Sequence, residues 1–130
     1  MAIVRFLAAA VCTMGLAGAM PALAQDAART EAEVRQLLDV VGASGCQFER
    51  NGKWHDASAA RSHLERKYDY LRERKLVPNA EAFIARAATE SSLSGKPYRA
   101  RCGNAQPIPS AQWLNTELKR LRAAQGQQAS

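Results

Sequence analysis

The sequence lacks the short motifs on which many small enzymes depend. It has no C-x-x-C pair, no H-E-x-x-H zinc motif and neither of the serine-nucleophile patterns S-x-x-K and G-x-S-x-G. Histidine is scarce, because His55 and His63 are the only two. The segment from Ser91 to Pro97 approaches a phosphate-binding loop, but it lacks the first glycine of G-x-x-x-x-G-K-[ST], and Pro97 replaces the final hydroxyl residue. These absences disfavour a zinc enzyme, a nucleotide-binding protein and the common serine hydrolases, so we expect no metal and no cofactor.

The one long apolar run of the chain is too short to cross a membrane comfortably. Arg5 is followed by the uncharged stretch FLAAAVCTMGLAGAM and then by Pro21-Ala22-Leu23-Ala24, with small residues at the −3 and −1 positions. This pattern is typical of a secretory signal peptide, and we expect cleavage after Ala24. The predicted organisation is a signal peptide at residues 1–24, one domain at 25–122 and a disordered tail at 123–130. An uncleaved membrane anchor is the alternative interpretation.

Cysteine is also sparse once the signal peptide is removed. Cys12 leaves with the predicted signal, and Cys46 and Cys102 remain. An isolated pair of cysteines in a small domain most often forms a disulfide in an oxidising compartment. We therefore predict a Cys46–Cys102 disulfide, with a metal site or a reactive thiol as the alternatives.

The sharpest local feature is the Asn51-Gly52 turn between two short predicted strands, 46–50 and 53–56. A type I′ hairpin turn needs positive φ at both central residues, and Asn-Gly adopts it at little steric cost. A third strand is predicted at 97–102, followed by a loop at 103–109. Apolar residues at helical spacing predict helices at 31–42, 57–74, 80–91 and from Ser110 onward. Their predicted N-caps are Thr30 (with Glu33 in a capping box), Asp56 or Ser58, Asn79 and Ser110.

These elements follow one another in the order α-β-β-α-α-β-α. That order predicts an α+β domain in which a small three-stranded antiparallel sheet is covered by about four helices. The disulfide would join the start of the first strand to the end of the third, so we expect these two strands to be neighbours.

Several short motifs in the middle of the chain resemble one family of bacterial proteins. They are Phe48-x-Arg50-Asn51-Gly52, then His55, then Ala60-x-Ser62-His63-Leu64-x-x-Lys67, Ala80-Glu81-x-Phe83-Ile84 and Ser91-Ser92-x-Ser94-Gly95-Lys96-Pro97-Tyr98. In order and spacing they resemble the small envelope proteins typified by YfeK. The resemblance spans roughly 37–98 and implies a signal-bearing periplasmic protein, secreted across the inner membrane, whose domain has no known function.

The candidate functional residues are built around His63 and Lys67, which lie one turn apart on one face of a predicted helix. A histidine in this position serves as a general base, a metal ligand or a pH-sensitive contact, or it simply bridges the helix to a loop. The hydroxyls of segment 91–96, together with Lys96, suggest an anion or sugar site, and the alternative is a capped helix end before a strand. The full candidate cluster is Arg50, Asn51, His55, His63, Lys67, Ser91, Ser92, Ser94, Lys96 and Tyr98.

The charge of the chain predicts an acidic partner, since the formal net charge is +6. Secretion disfavours nucleic acid, and after signal cleavage no membrane-spanning segment is expected. Two hypotheses follow. The first is a non-enzymatic envelope module that binds a protein or an anionic surface polymer. The alternative is a small enzyme or ligand-binding protein that uses His63, Lys67 and segment 91–98. The candidate basic patch consists of Arg99, Arg101, Lys119, Arg120 and Arg122, and the alternative is that the scattered charges serve solubility.

Overall fold

A computed structural model describes residues 9–13, 15, 18 and 21–128. Most of the predicted signal peptide therefore lies outside the described residues. The elements are four helices and four strands: α1 (Ala22–Ala43), β1 (Gln47–Arg50), β2 (Lys53–His55), α2 (Ala57–Glu73), α3 (Ala80–Ala87), β3 (Arg99–Arg101), β4 (Ile108–Pro109) and α4 (Ser110–Gln128). Within this described part, no helix is both long and apolar enough to cross a membrane.

The four strands form one antiparallel sheet in the order β2-β1-β3-β4. The α+β class is confirmed, and so is the prediction that the first and third strands are neighbours. The predicted number of three strands is wrong, because Ile108–Pro109 lies in the predicted loop 103–109 but pairs with β3. A strand of two residues is too short to show an alternating pattern, and proline is tolerated at a sheet edge.

Local side-chain chemistry determines the hairpin and two of the helix starts. Asn51 and Gly52 have φ values of 52° and 80°, as the type I′ turn requires. The Asp56 carboxylate accepts the backbone N–H of Ala59 at 2.8 Å and so caps α2. Asn79 caps α3 in the same way through the backbone N–H of Ala82.

The predicted start of the first helix is wrong. α1 begins at Ala22, after Pro21, and passes through the predicted cleavage site after Ala24. Thr30 is a buried residue inside the helix, and its hydroxyl donates to the carbonyl of Pro78 at 3.1 Å instead of capping. Alanines and charged residues before Thr30 favour continuation of the helix, so a capping-box spacing alone does not fix its start.

Two helix ends also differ from the prediction. α3 ends at Ala87, earlier than the predicted 91, because Ala88 has left helical geometry with φ −121° and ψ 8°. α4 continues to Gln128, whereas a disordered tail was expected from Ala123. Alanine and glutamine are good helix formers, and a polar, exposed composition does not by itself end a helix that is already propagating.

The core lies between the helices and the sheet face that carries Phe48 and Ala100, both of which are buried. Phe48 packs edge-on against Trp113 with the ring centroids 5.5 Å apart. The predicted disulfide is confirmed. Cys46 precedes Gln47 and Cys102 follows Arg101, so the two cysteines lie side by side next to the antiparallel Gln47–Arg101 pair, with their Cα atoms 4.3 Å apart. Residues contributed by α1 complete the core, namely Val34, Leu37, Leu38 and Val41.

Candidate functional site

The hairpin and α2 place the predicted histidine beside β1. Arg50 is the last residue of β1 and lies two residues after Phe48, so its side chain extends on the same face of the sheet, toward the helices. α2 begins two residues after the end of β2, and this short connection places His63 next to Arg50 at the end of β1. Tyr98 lies just before β3, two residues from Ala100, and therefore reaches the same face.

Four side chains meet at this point, and we call them the polar quartet: Arg50, His63, Lys67 and Tyr98. The guanidinium of Arg50 hydrogen-bonds to Nδ1 of His63. His63 Nε2 lies 3.1 Å from the Tyr98 hydroxyl. The ammonium of Lys67 donates to the same hydroxyl at 3.2 Å and to the carbonyl of Glu90 at 3.3 Å.

The environment of the quartet shifts its protonation equilibria. Burial, followed by the charges of Arg50 and Lys67, lowers the pKa of His63 to about 4. Burial and the Arg50 charge also lower the pKa of the Lys67 ammonium. Burial raises the pKa of the Tyr98 phenol. At neutral pH the quartet therefore contains a neutral imidazole and a protonated phenol.

A cavity of about 260 Å³ adjoins the quartet. Its rim includes the exposed residues Ala59, Ser62 and Arg66 of α2, so the cavity reaches the protein surface. Most of the surface area of its wall is apolar. The other lining residues are Phe48, Glu49, Arg50, His55, Ala60, His63, Leu64, Ala88, Tyr98, Ser110 and Leu114.

The predicted cluster is therefore only partly assembled in one place. Arg50, His55, His63 and Tyr98 line the cavity, and Lys67 contacts Tyr98 beside it. The exposed residues Ser92 and Lys96 are absent from the cavity wall and lie in the loop after α3.

The serine-rich loop after α3 is held by its own hydrogen bonds. The hydroxyl of Ser91, a buried residue, accepts the backbone N–H groups of Leu93 and Ser94 at 3.3 and 3.4 Å. The Ser94 hydroxyl donates to the Asn51 side chain at 2.5 Å and so ties this loop to the hairpin turn. These contacts favour the structural alternative for the loop over an anion or sugar site.

Ser110 is one of the cavity residues that the predicted cluster did not include. It was predicted only as a helix cap, yet its side chain is buried and lines the cavity. Its backbone N–H donates to the carbonyl of Tyr98 at 2.9 Å, next to the pairing of β3 with β4. Since β4 was not predicted, no local signal placed Ser110 beside Tyr98.

The five residues of the predicted basic patch lie in different surroundings. Arg99 and Arg101 lie on the outer face of the sheet, with their guanidinium carbons 5.8 and 4.1 Å from the Trp54 ring centroid. Arg122 bonds to Glu33 and Glu81. The remaining two follow one another on α4, where Lys119 is exposed and Arg120 pairs with Glu117. In the described part of the chain, no group of three or more His, Cys, Asp or Glu side chains is arranged to hold a metal.

Comparison with known proteins gives relatives without a known activity. A family model described as a family of unknown function (DUF5329) matches residues 28–122. An uncharacterized protein YfeK of Salmonella typhimurium strain LT2 is 38% identical over 80 residues, which is 61% of this chain. The matched region spans 65% of the length of that relative. No solved structure matches the chain significantly.

Proposed function

The chain belongs to a family of unknown function (DUF5329), and from its site geometry we propose that it is a small-molecule-binding module. The YfeK-like resemblance predicted from the sequence is confirmed, but that relative is itself uncharacterized. The proposal therefore rests on the cavity and its polar quartet.

Three residues of the quartet, Arg50, His63 and Tyr98, lie at the wall of a mainly apolar cavity, and this observation carries the proposal. Small-molecule sites are typically concave, mostly apolar and equipped with a few convergent polar groups, with volumes of roughly 300–1,000 Å³. The cavity described above approaches the lower end of that range. Arg50, His63 and Tyr98 supply the convergent polar groups, while Leu64 and Leu114 supply apolar wall.

The protonation state of His63 favours binding over acid–base catalysis. A general base works best with a pKa near the operating pH. The pKa of His63 is lowered to about 4, and both of its ring nitrogens are engaged by Arg50 and Tyr98. We therefore assign the quartet to ligand recognition and propose no turnover.

We propose that the module acts outside the cytoplasm, in the bacterial envelope. The Cys46–Cys102 disulfide supports this, because structural disulfides persist in oxidising compartments. The apolar N-terminal run with small residues before Gln25 supports it as well. Binding to an envelope protein or anionic polymer through the outer sheet face, with Arg99 and Arg101 beside Trp54, is the second candidate function.

A titration followed by ¹H–¹⁵N correlation spectra tests the binding proposal. Octanoate and octan-1-ol are added separately to the wild type and to Ala60→Leu, which places a larger side chain on the cavity wall. We expect resonances of cavity residues to shift in the wild type and to stay unchanged in the filled variant. Ala88→Val is a second filling variant, for use if Ala60→Leu does not fold.

Ala85→Leu is the matched control, because Ala85 is exposed on α3 and does not line the cavity. It should respond to both probes like the wild type. Unchanged spectra with both probes, or equal shifts in the wild type and both filled variants, would reject the cavity as a binding site.

A further inference from the structure

The hydrogen bonds around His63 determine where its proton lies. An arginine guanidinium has only donors, so Nδ1 of His63 must accept the hydrogen bond from Arg50. A neutral imidazole has one N–H and one lone pair. The N–H of His63 is therefore on Nε2, and it donates to the hydroxyl oxygen of Tyr98 at 3.1 Å.

The proton of the Tyr98 hydroxyl is consequently left without a hydrogen-bond acceptor among the described residues. Its oxygen accepts from Nε2 of His63 and from the ammonium of Lys67, which is also only a donor. Two accepted hydrogen bonds occupy both lone pairs of that oxygen. Among the described residues the Tyr98 O–H has no acceptor, and Tyr98 lines the cavity.

Ser110 supplies a second hydroxyl without a partner at the same cavity. The residue is only 3% exposed, and its Oγ has no hydrogen-bond partner within the described part of the chain. A buried polar group left without a partner destabilises the protein, so a ligand group that hydrogen-bonds to it from the cavity would be bound favourably. Ser110 is also the first residue of α4, where the helix dipole favours negative charge.

The charges around the cavity favour an anionic group as the acceptor. Arg50 and Arg66 line it, and Lys67 lies beside Tyr98. Glu49 also contacts the cavity, but its carboxylate accepts two hydrogen bonds from Arg99, at 2.6 and 3.3 Å. The positive groups at the cavity therefore outnumber the negative one.

We propose that the ligand is an amphipathic carboxylate whose oxygens accept hydrogen bonds from the hydroxyls of Tyr98 and Ser110. Its apolar body lies against Phe48, Leu64 and Leu114 in the cavity wall. The inference rests on the proposed function, since it specifies the ligand of the same site. It assigns Tyr98 and Ser110 as the residues that select a carboxylate.

Calorimetric titration with octanoate and with octylammonium, which has the same chain length but no acceptor, tests the carboxylate preference. The wild type should bind octanoate more tightly than octylammonium. Tyr98→Phe and Ser110→Ala should each weaken octanoate binding by about tenfold, the effect of one hydrogen bond to a charged group. Tyr70→Phe and Ser92→Ala are the controls, because both residues are exposed and neither lines the cavity. They should bind octanoate like the wild type.

The outcomes separate this inference from the proposed function. If octan-1-ol or octylammonium binds as tightly as octanoate, or if both hydroxyl variants keep wild-type affinity, the carboxylate inference is overturned and the cavity remains a binding site. If no probe binds, both proposals fail. Long-range ¹H–¹⁵N spectra of unliganded protein at pH 7 provide an independent readout. They should show His63 protonated on Nε2, and an Nδ1-protonated ring would overturn the proton assignment.

Discussion

Arg50 and His63 connect the end of β1 to the middle of α2 through a single hydrogen bond from the guanidinium to Nδ1. The bond requires an unprotonated Nδ1, so it exists only while the imidazole is neutral. It also determines which nitrogen of His63 faces Tyr98. The protonation of one half-buried side chain is thereby coupled to the hairpin, to α2 and to the wall of the cavity.

The first prediction concerns the stability of the protein in acid. The pKa of His63 is about 4 in the folded protein and about 6.5 when unfolded, so the unfolded chain binds the proton first as the pH falls. The free energy of unfolding should therefore decrease between pH 6.5 and pH 4. His63→Gln should lessen this decrease, as measured by urea unfolding at pH 7, 5.5 and 4.

Ser92→Ala is the control for this experiment. Ser92 is exposed, does not line the cavity and carries no group that titrates in this range, so its replacement should leave the pH dependence of the wild type unchanged. An identical decrease in the wild type and in His63→Gln would show that His63 does not contribute.

The second prediction concerns the ion pair that joins α4 to α1. Arg122 donates two hydrogen bonds to the buried carboxylate of Glu33, at 2.8 and 3.0 Å, and a third to Glu81. The hydrogen bonds from Arg122 are the largest cause of the lowered pKa of Glu33. Arg122→Ala leaves a buried carboxylate whose remaining cationic partner among the described residues is Arg29, 4.0 Å away, and it should cost about 2–3 kcal/mol of unfolding free energy at pH 7.

The loss in Arg122→Ala should shrink as the pH falls through the folded pKa of Glu33, because a protonated carboxyl needs no cation. Arg120→Ala is the control. The Arg120 side chain pairs with Glu117 but is 72% exposed, so its replacement should change stability by less than about 0.5 kcal/mol. Equal effects of the two substitutions at pH 7 would contradict the assigned role of Arg122.

The parts of the fold that follow from neighbouring residues were predicted from the sequence. The Asn51-Gly52 turn and the caps Asp56 and Asn79 depend on side chains that act within a few residues, so their chemistry is visible locally. The strand β4 and the position of Ser110 depend on pairing with β3 across the sheet. No pattern in the local sequence contains that information.

The candidate site also combines residues that were predicted from the sequence with contacts that were not. Lys67 follows His63 by one helical turn, so both were predicted to lie on one face. The resemblance to a known family added Arg50 and Tyr98. The sequence did not show that Tyr98 would receive two hydrogen bonds, or that Ser91 and Ser94 would be used inside their own loop. Such assignments require the distances between side chains.

The third prediction concerns the disulfide. Cys46 and Cys102 are separated by 56 positions in the sequence, and closing such a loop restricts the unfolded chain by about 4 kcal/mol in the chain-entropy description. The double variant Cys46→Ala/Cys102→Ala should lose most of that stability in urea unfolding. Reductant should lower the stability of the wild type toward that of the double variant and leave the double variant unchanged. If a reductant cleaves the disulfide completely and the stability of the wild type does not change, this prediction is contradicted.

The fourth prediction compares two glycines in opposite backbone conformations. Gly52 has φ +80° in the hairpin turn, so Gly52→Ala should destabilise the protein by about 1 kcal/mol even though a Cβ atom would meet nothing within 4 Å. Gly126 lies in α4, where an added Cβ atom would also meet nothing within 4 Å. Gly126→Ala should therefore be neutral or stabilising by up to about 1 kcal/mol. The midpoint temperature of thermal unfolding should therefore fall in Gly52→Ala, and it should rise or stay unchanged in Gly126→Ala. A larger loss for Gly126→Ala would contradict the assigned conformations.

We propose an amphipathic carboxylate as the occupant of the cavity beside the polar quartet. Isotope-filtered NOE spectra of the labelled protein with octanoate report which residues lie within a few ångströms of the alkyl chain, and they therefore locate the bound ligand. We expect cross-peaks from octanoate to Phe48, Leu64 and Leu114 of the cavity wall. Cross-peaks confined to exposed residues such as Leu93, or none at all at saturating octanoate, would contradict it.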